Sequence, residues 1–250
     1  MRGATVVLVR VAILAALLGA WELLPRLGVV NPMLLPPLSD VAMALVDILG
    51  RANVRESIGV SSAEVAVAFA LAVPLGGALG VLSVESRYFG EIFRPMLFYV
   101  FSIPKSIFLP LFILAFGIGF PQKVAYATFS TIFIVIMSAG AAVESVKAEH
   151  LLVAESYGAT RGQILRRVYI PSMMPILLET LRISMIFNFT GVMIAEMYAS
   201  RVGIGRLIAD WGENFEMTKL FAGVVLLAAA AMLFNEAVRF LEARCSTWRT

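Results

Sequence analysis

One histidine, His150, and one cysteine, Cys245, are all the imidazole and thiol that the 250 residues offer. A structural zinc site wants four such ligands and a catalytic one three, so no metal site is expected, and a single thiol closes no intrachain disulfide. The dipeptide Gly-Lys is absent, which excludes the phosphate-cradling loop that ends in a lysine. No catalytic residue and no cofactor is expected in this chain. What remains is charge inside the apolar stretches: Lys105, Glu179 and Arg182, with Glu64 able to reach a neighbour from the outer side. A cation at bilayer depth costs about 2.5 to 3.5 kcal/mol on insertion scales, so it should be paired or functional. Lys105 and Arg182 would lend positive potential to the path of an anion. Glu179, three residues before Arg182, is the obvious structural partner on one helix face.

The elements that must hold these charges are membrane spans. The chain is 60% hydrophobic and 15% charged, with a net charge of +3, against about 45 to 50% and 25% for soluble domains. A net charge this small gives no reason to expect nucleic acid. Two stretches, 65–84 and 124–143, hold twenty residues each without a charge, long enough to cross the hydrocarbon core. Six helical spans are expected, at about 4–24, 58–84, 95–120, 123–143, 173–194 and 219–240, which makes the chain an all-α polytopic membrane protein. The first could be a cleaved signal peptide, but Leu18 is bulky where a small residue is wanted before Ala20, so it reads as an anchor. Pro104 and Pro110 interrupt the third span, and irregular backbone at that depth is tolerated only where protein or water surrounds it. They and Lys105, with Arg182 and Asn188 on the fifth span, are the candidates for a path or gate. Gly76, Gly77 and Gly80 on the second span suit close helix packing.

Six spans place both ends on one side. With the ends inside, the inner segments carry 11 basic residues, Arg249 among them, and the outer ones 7, Lys123 among them. That excess favours cytoplasmic termini. Residues 39–50, with Ser39 as N-cap and Gly50 at the end, read as a short amphipathic helix on the outer surface.

Residues 144–171 are too polar to span, yet their apolar positions recur at helical spacing. A first helix would end at Gly158, and Thr160 with Gln163 fits a capping box that opens a second. The bland reading is a helical hairpin resting on lipid. Ala154 to Thr160 (AESYGAT) followed by Val168 to Pro171 (VYIP) resembles the cytoplasmic signature loop of permease subunits of binding-protein-dependent ABC importers. That signature runs E-A-A, three residues, G, nine residues, I, one residue, L, P; Gly158 and Pro171 keep its separation. Leu152 stands where the family has glutamate and Val153 where it has the first alanine, with Glu149 and Glu155 three residues to either side.

The resemblance extends to Ser102, Ile103, Pro104, Leu109, Pro110 and Leu111, then Phe116 to Gly119, and to Leu181, Arg182, Ile183, Ala195, Glu196, Gly203, Ile204 and Gly205. These are similar to the branch that imports nitrate, taurine, sulfonates and pyrimidine vitamin precursors. The resemblance implies a type I importer permease in a prokaryotic inner membrane, working as a homodimer with two cytoplasmic ATPase subunits and an external solute-binding protein, ATP and Mg residing on the ATPase. It implies ATPase coupling through Glu149, Leu152, Ala154, Glu155, Gly158, Ala159 and Pro171, and an outer loop marked by Glu196, Gly203 and Gly205. Glu196 reads equally as a solvated flank or a contact for the binding protein. The solute would be a small anion, with a neutral or cationic pyrimidine precursor as the alternative. An ion-coupled carrier would normally carry internal repeats, which are absent, and a membrane enzyme would want a constellation that one His and one Cys do not supply.

Overall fold

The computed structural model describes residues 2–245. Arg249 lies outside them, as do the side chains of Arg2, Arg244 and Cys245. The described chain is helical: α1 (Arg2–Arg26), α2 (Leu38–Gly50), α3 (Ala52–Glu85), α4 (Arg87–Ser102), a 3-10 turn (Lys105–Phe108), α5 (Leu109–Phe116), α6 (Phe120–Glu144), α7 (Ala148–Ser156), α8 (Arg161–Ile164), a π turn (Leu165–Tyr169), α9 (Ile170–Tyr198), α10 (Ile204–Glu213) and α11 (Met217–Cys245). Five helices are long and apolar enough to cross a membrane, and a sixth span arises if the bent pair α4 and α5 counts as one.

The centre is the triplet α3, α6 and α9. Small residues let these helices approach closely, because between helices in lipid it is packing and hydrogen bonding that hold them together. A Cβ on Gly80 would stand 2.5 Å from the Ile136 carbonyl and 2.7 Å from the Ala139 Cβ, and one on Gly76 2.8 Å from the Val135 Cβ. Gly77 faces open space, so close packing explains its two neighbours and not Gly77 itself. Polar side chains add cross-helix bonds: the Asn188 amide donates to the Val65 carbonyl at 2.8 Å, and Thr128 Oγ1 donates to the Ala68 carbonyl at 3.3 Å.

The third span does not run straight over 95–120. α4 begins at Arg87 with Pro95 inside it, ends at Ser102, and meets the following segment at 91°. The residue before a proline is pushed to extended backbone, as Ile103 is before Pro104 (φ −79°, ψ 131°), and Pro110 then sits in the first turn of α5, where its missing N–H is harmless.

At the end of the bundle away from residues 144–171, Ser39 is not an N-cap. α2 starts at Leu38 after Pro37, and the cap comes from α1 instead: the Glu22 carboxylate accepts from the Ser39 amide at 2.9 Å and its hydroxyl at 3.0 Å. Trp21 Nε1 donates to the Pro36 carbonyl at 3.1 Å. Thus α1 is fastened by its end while most of its length is exposed. Nor does α2 lie free on a surface, since its Val41 and Ile48 are buried in a core with Val54, Ile204, Ile208, Trp211 and Ala222.

Candidate functional site

The expected residues fall in three places. The first is the hairpin between α6 and α9. α7 ends in a left-handed Gly158 (φ 72°), with the Gly158 amide donating to the Glu155 carbonyl at 2.8 Å and the Ala159 amide to the Ala154 carbonyl at 3.0 Å. This double bond is the Schellman stop, and glycine suits it because a Cβ is strained at positive φ. Two residues on, Thr160 and Gln163 form the reciprocal capping box. The chain then continues to Tyr198 without interruption, so Pro171 and Pro175 do not separate two helices. Pro171 has no N–H to offer, and the helix widens just before it: the Ile170 amide reaches back five residues to the Leu165 carbonyl. On α7, Leu152, Val153 and Tyr157 project an apolar patch that is 57 to 88% exposed. Glu149 and Glu155 flank it, both exposed and without an ion pair among the described residues, while Ala154, Ala159 and Pro171 are half-buried.

The second place is the break in the third span. Lys105, in the 3-10 turn, reaches back to α4, donating to the Phe101 carbonyl that α4 leaves open, with its ammonium 4.2 Å from the Phe101 ring centre and 5.7 Å from that of Phe133. Arg182, by contrast, pairs with Glu179 at 3.4 Å and lines a mostly apolar cavity of about 870 Å³ between α3, α9 and α11. Asn188 is wholly buried in the α3, α6 and α9 packing.

The third place is a polar cluster sealed at the end of the triplet away from the hairpin. Glu196 lies inside α9 and is completely buried, so it is neither a solvated flank nor an exposed contact. Ser61 Oγ donates to it at 2.6 Å and the Gly205 amide at 2.6 Å, while the Ile204 amide donates to Ser61 Oγ at 2.9 Å. The two glycines follow from this. Gly203 has φ 140°, and a Cβ there would run into the Glu196 carboxylate; on Gly205 it would stand 2.8 Å from the Glu196 Cβ. Beside them Lys123, 3% exposed and not an outer flank, pairs with the buried Glu64 and donates to Ser200 Oγ at 3.0 Å and the Val202 carbonyl at 3.2 Å. Sequence reasoning missed Ser61 and Lys123. The available signal was that Ser61 and Glu64 stand three apart on one helix face, an arrangement that calls for buried partners.

The profile of the family described as "Binding-protein-dependent transport system inner membrane component" matches residues 72–247. The chain belongs to this family. It is 30% identical over 240 residues to the taurine transport system permease protein TauC of Escherichia coli (strain K12), covering 94% of this chain and 87% of that one. It is 26% identical to the putative aliphatic sulfonates transport permease protein SsuC of Bacillus subtilis (strain 168), over 94% and 85%. The fold resembles that of the inward-facing MetNI methionine ABC transporter, with a TM-score of 0.67 and 20% identity over 77% of this chain and 95% of that one. The chain is therefore a multi-pass membrane permease subunit of an ABC importer, with the type I fold, and its ATPase is a separate subunit.

Proposed function

We propose that this permease forms, with a second copy of itself, the inward path for a small anion of the sulfonate, taurine or nitrate type, delivered by an external solute-binding protein and driven by two cytoplasmic ATPase subunits that hold the ATP and Mg. The observation that carries the coupling half of this reading is the hairpin: a rigid glycine stop holding an exposed Leu152, Val153 and Tyr157 patch away from the bundle. An apolar patch on a short, charged helix fits insertion into a groove on a partner. The excess of basic residues on that side favours a cytoplasmic hairpin and cytoplasmic termini. Glu149 and Glu155 would supply the acid that the signature places at Leu152. The anion reading rests on the relatives named for taurine, sulfonates and nitrate, with one named for formylaminopyrimidine standing as the alternative. Lys105, at the break, supplies positive potential of the matching sign, whereas Arg182 on the cavity wall is balanced by Glu179.

The experiment is co-purification and ATP-driven uptake of labelled taurine, an alkyl sulfonate and nitrate by the reconstituted transporter, comparing wild type with Gly158→Val and Gly162→Val. Neither glycine's Cβ would meet an atom within 4 Å, but only Gly158 has positive φ. Gly158→Val therefore costs about 1 to 2 kcal/mol of backbone strain or re-aims α7, and ATPase retention and uptake fall while Gly162→Val stays near wild type. Equal behaviour of the two variants would remove the coupling role; uptake of none of the three anions would remove the substrate class.

A further inference from the structure

A pocket of about 510 Å³ lies where three segments meet at the base of the hairpin: the end of α6, the start of α7, and the π turn with the first turn of α9. Its polar lining is Lys147, His150, Arg167, Ser145 and Ser172, and no Asp or Glu takes part. Among the described residues Lys147, His150 and Arg167 have no ion pair, and the Ser172 hydroxyl has no hydrogen-bond partner. The nearest acid in sequence, Glu144, is turned to α4, where it pairs with Arg94 at 2.7 Å. Two lasting positive charges and an imidazole, all three on exposed side chains, thus line one recess whose walls hold no acid.

The backbone is bent to bring them there. Pro171 forbids the ordinary helical bond to the Arg167 carbonyl, and the π turn that accommodates it carries Arg167 and Val168 on the pocket wall. Single π turns inside α-helices recur at functional sites, because the extra residue re-aims a side chain at a local cost in hydrogen bonding. The recess also stands just past the end of α6, where a charge-free span gives way to polar chain, and basic pockets between spans at headgroup level hold phosphate groups. Arginine matches a tetrahedral oxyanion with two parallel N–H bonds, lysine adds a point charge, and a free serine hydroxyl adds a neutral donor.

We infer that the Lys147, His150 and Arg167 pocket binds a single phosphate- or sulfonate-type oxyanion, presented by an anionic phospholipid headgroup or by a free anion, and that the bound group ties α7 to the start of α9. The inference is independent of which solute is carried.

The test uses the full transporter with its ATPase subunits, purified as wild type, Arg167→Gln, Lys147→Gln/Arg167→Gln, and Arg161→Gln as a charge control outside the pocket. In one arm, native mass spectrometry counts phosphatidylglycerol retained from nanodiscs against a phosphatidylcholine background. In the other, thermal unfolding is followed during titration with inorganic phosphate and inorganic sulfate. Losing two charge-assisted contacts should weaken binding about tenfold or more, while Arg161→Gln behaves as wild type. Loss of a retained phosphatidylglycerol in the pocket variants assigns the site to lipid; loss of a phosphate or sulfate response assigns it to a free anion. The inference falls if wild type and the double variant agree in both arms. It falls equally if the double variant sheds its ATPase subunits with no change in either anion response, since the cations would then serve acidic groups of that partner.

Discussion

Replacing Lys123 by methionine tests the sealed outer cluster, and the structure supplies the magnitude. The side chain of Lys123 is 4% exposed and that of its partner Glu64 0%, and the same ammonium holds Ser200 and the Val202 carbonyl. Methionine keeps most of the volume and removes the charge, which leaves Glu64 buried without a counter-ion; breaking such a pair on one side costs about 3 to 5 kcal/mol. Glu64→Gln should cost less, because the ammonium keeps its two neutral acceptors. The double variant Glu64→Gln/Lys123→Met removes the stranded charge and should recover about 2 kcal/mol of the Lys123→Met loss. What stays lost is the fastening of residues 200–202, about 1 to 3 kcal/mol. Unfolding of the purified protein in graded denaturing detergent measures all four states of this cycle. A Lys123→Met protein within about 1 kcal/mol of wild type, or a double variant no better than Lys123→Met alone, would refute the reasoning.

The remaining expectations concern packing and assembly. Gly80→Val should force α3 and α6 apart, since even a Cβ there meets the Ile136 carbonyl at 2.5 Å; overpacking costs about 1 to 3 kcal/mol, and the same unfolding assay reads it, with Gly77→Val near wild type as the control. Gly203→Ala should destabilise the outer loop twice over, through positive φ and through collision with Glu196, and limited proteolysis should then cut near residues 199–203 sooner than in wild type. In a Cys245→Ser background, cysteine pairs placed along residues 182–194 should cross-link between two copies; failure of every pair in every nucleotide state would count against the homodimer path. Lys105→Met should lower uptake while leaving the assembled complex and its basal ATP hydrolysis in place, and unchanged uptake kinetics would confine Lys105 to holding the end of α4.

Local signals carried much of this architecture. Charge-free runs of bilayer length made helices because every backbone group in lipid must be satisfied within its own segment. The Gly158 stop and the Thr160 and Gln163 capping box were legible for the same reason: caps are decided by a handful of neighbouring residues, and the structure places both at the expected positions. Ser39 shows where that logic ends. Its type and position suit an N-cap, yet Glu22, 17 residues away in sequence, takes the task.

What only tertiary structure decided is which charges are buried and by whom. Lys123 and Glu196 stand at span ends, where a linear reading makes them flanks, and Glu64 borders the charge-free run 65–84. They are sealed because α3, α6, α9 and the segment after α9 close over them together. The basic pocket is likewise made of residues from the turn after α6, from α7, from the π turn and from α9, and its Lys147, His150 and Arg167 look along the chain like scattered inner-face polar residues. Hydropathy sums what each residue prefers alone, whereas burial and pairing belong to distances across helices. Those distances are set at Gly76, Gly80 and Gly191, where the absence of a side chain lets two backbones meet.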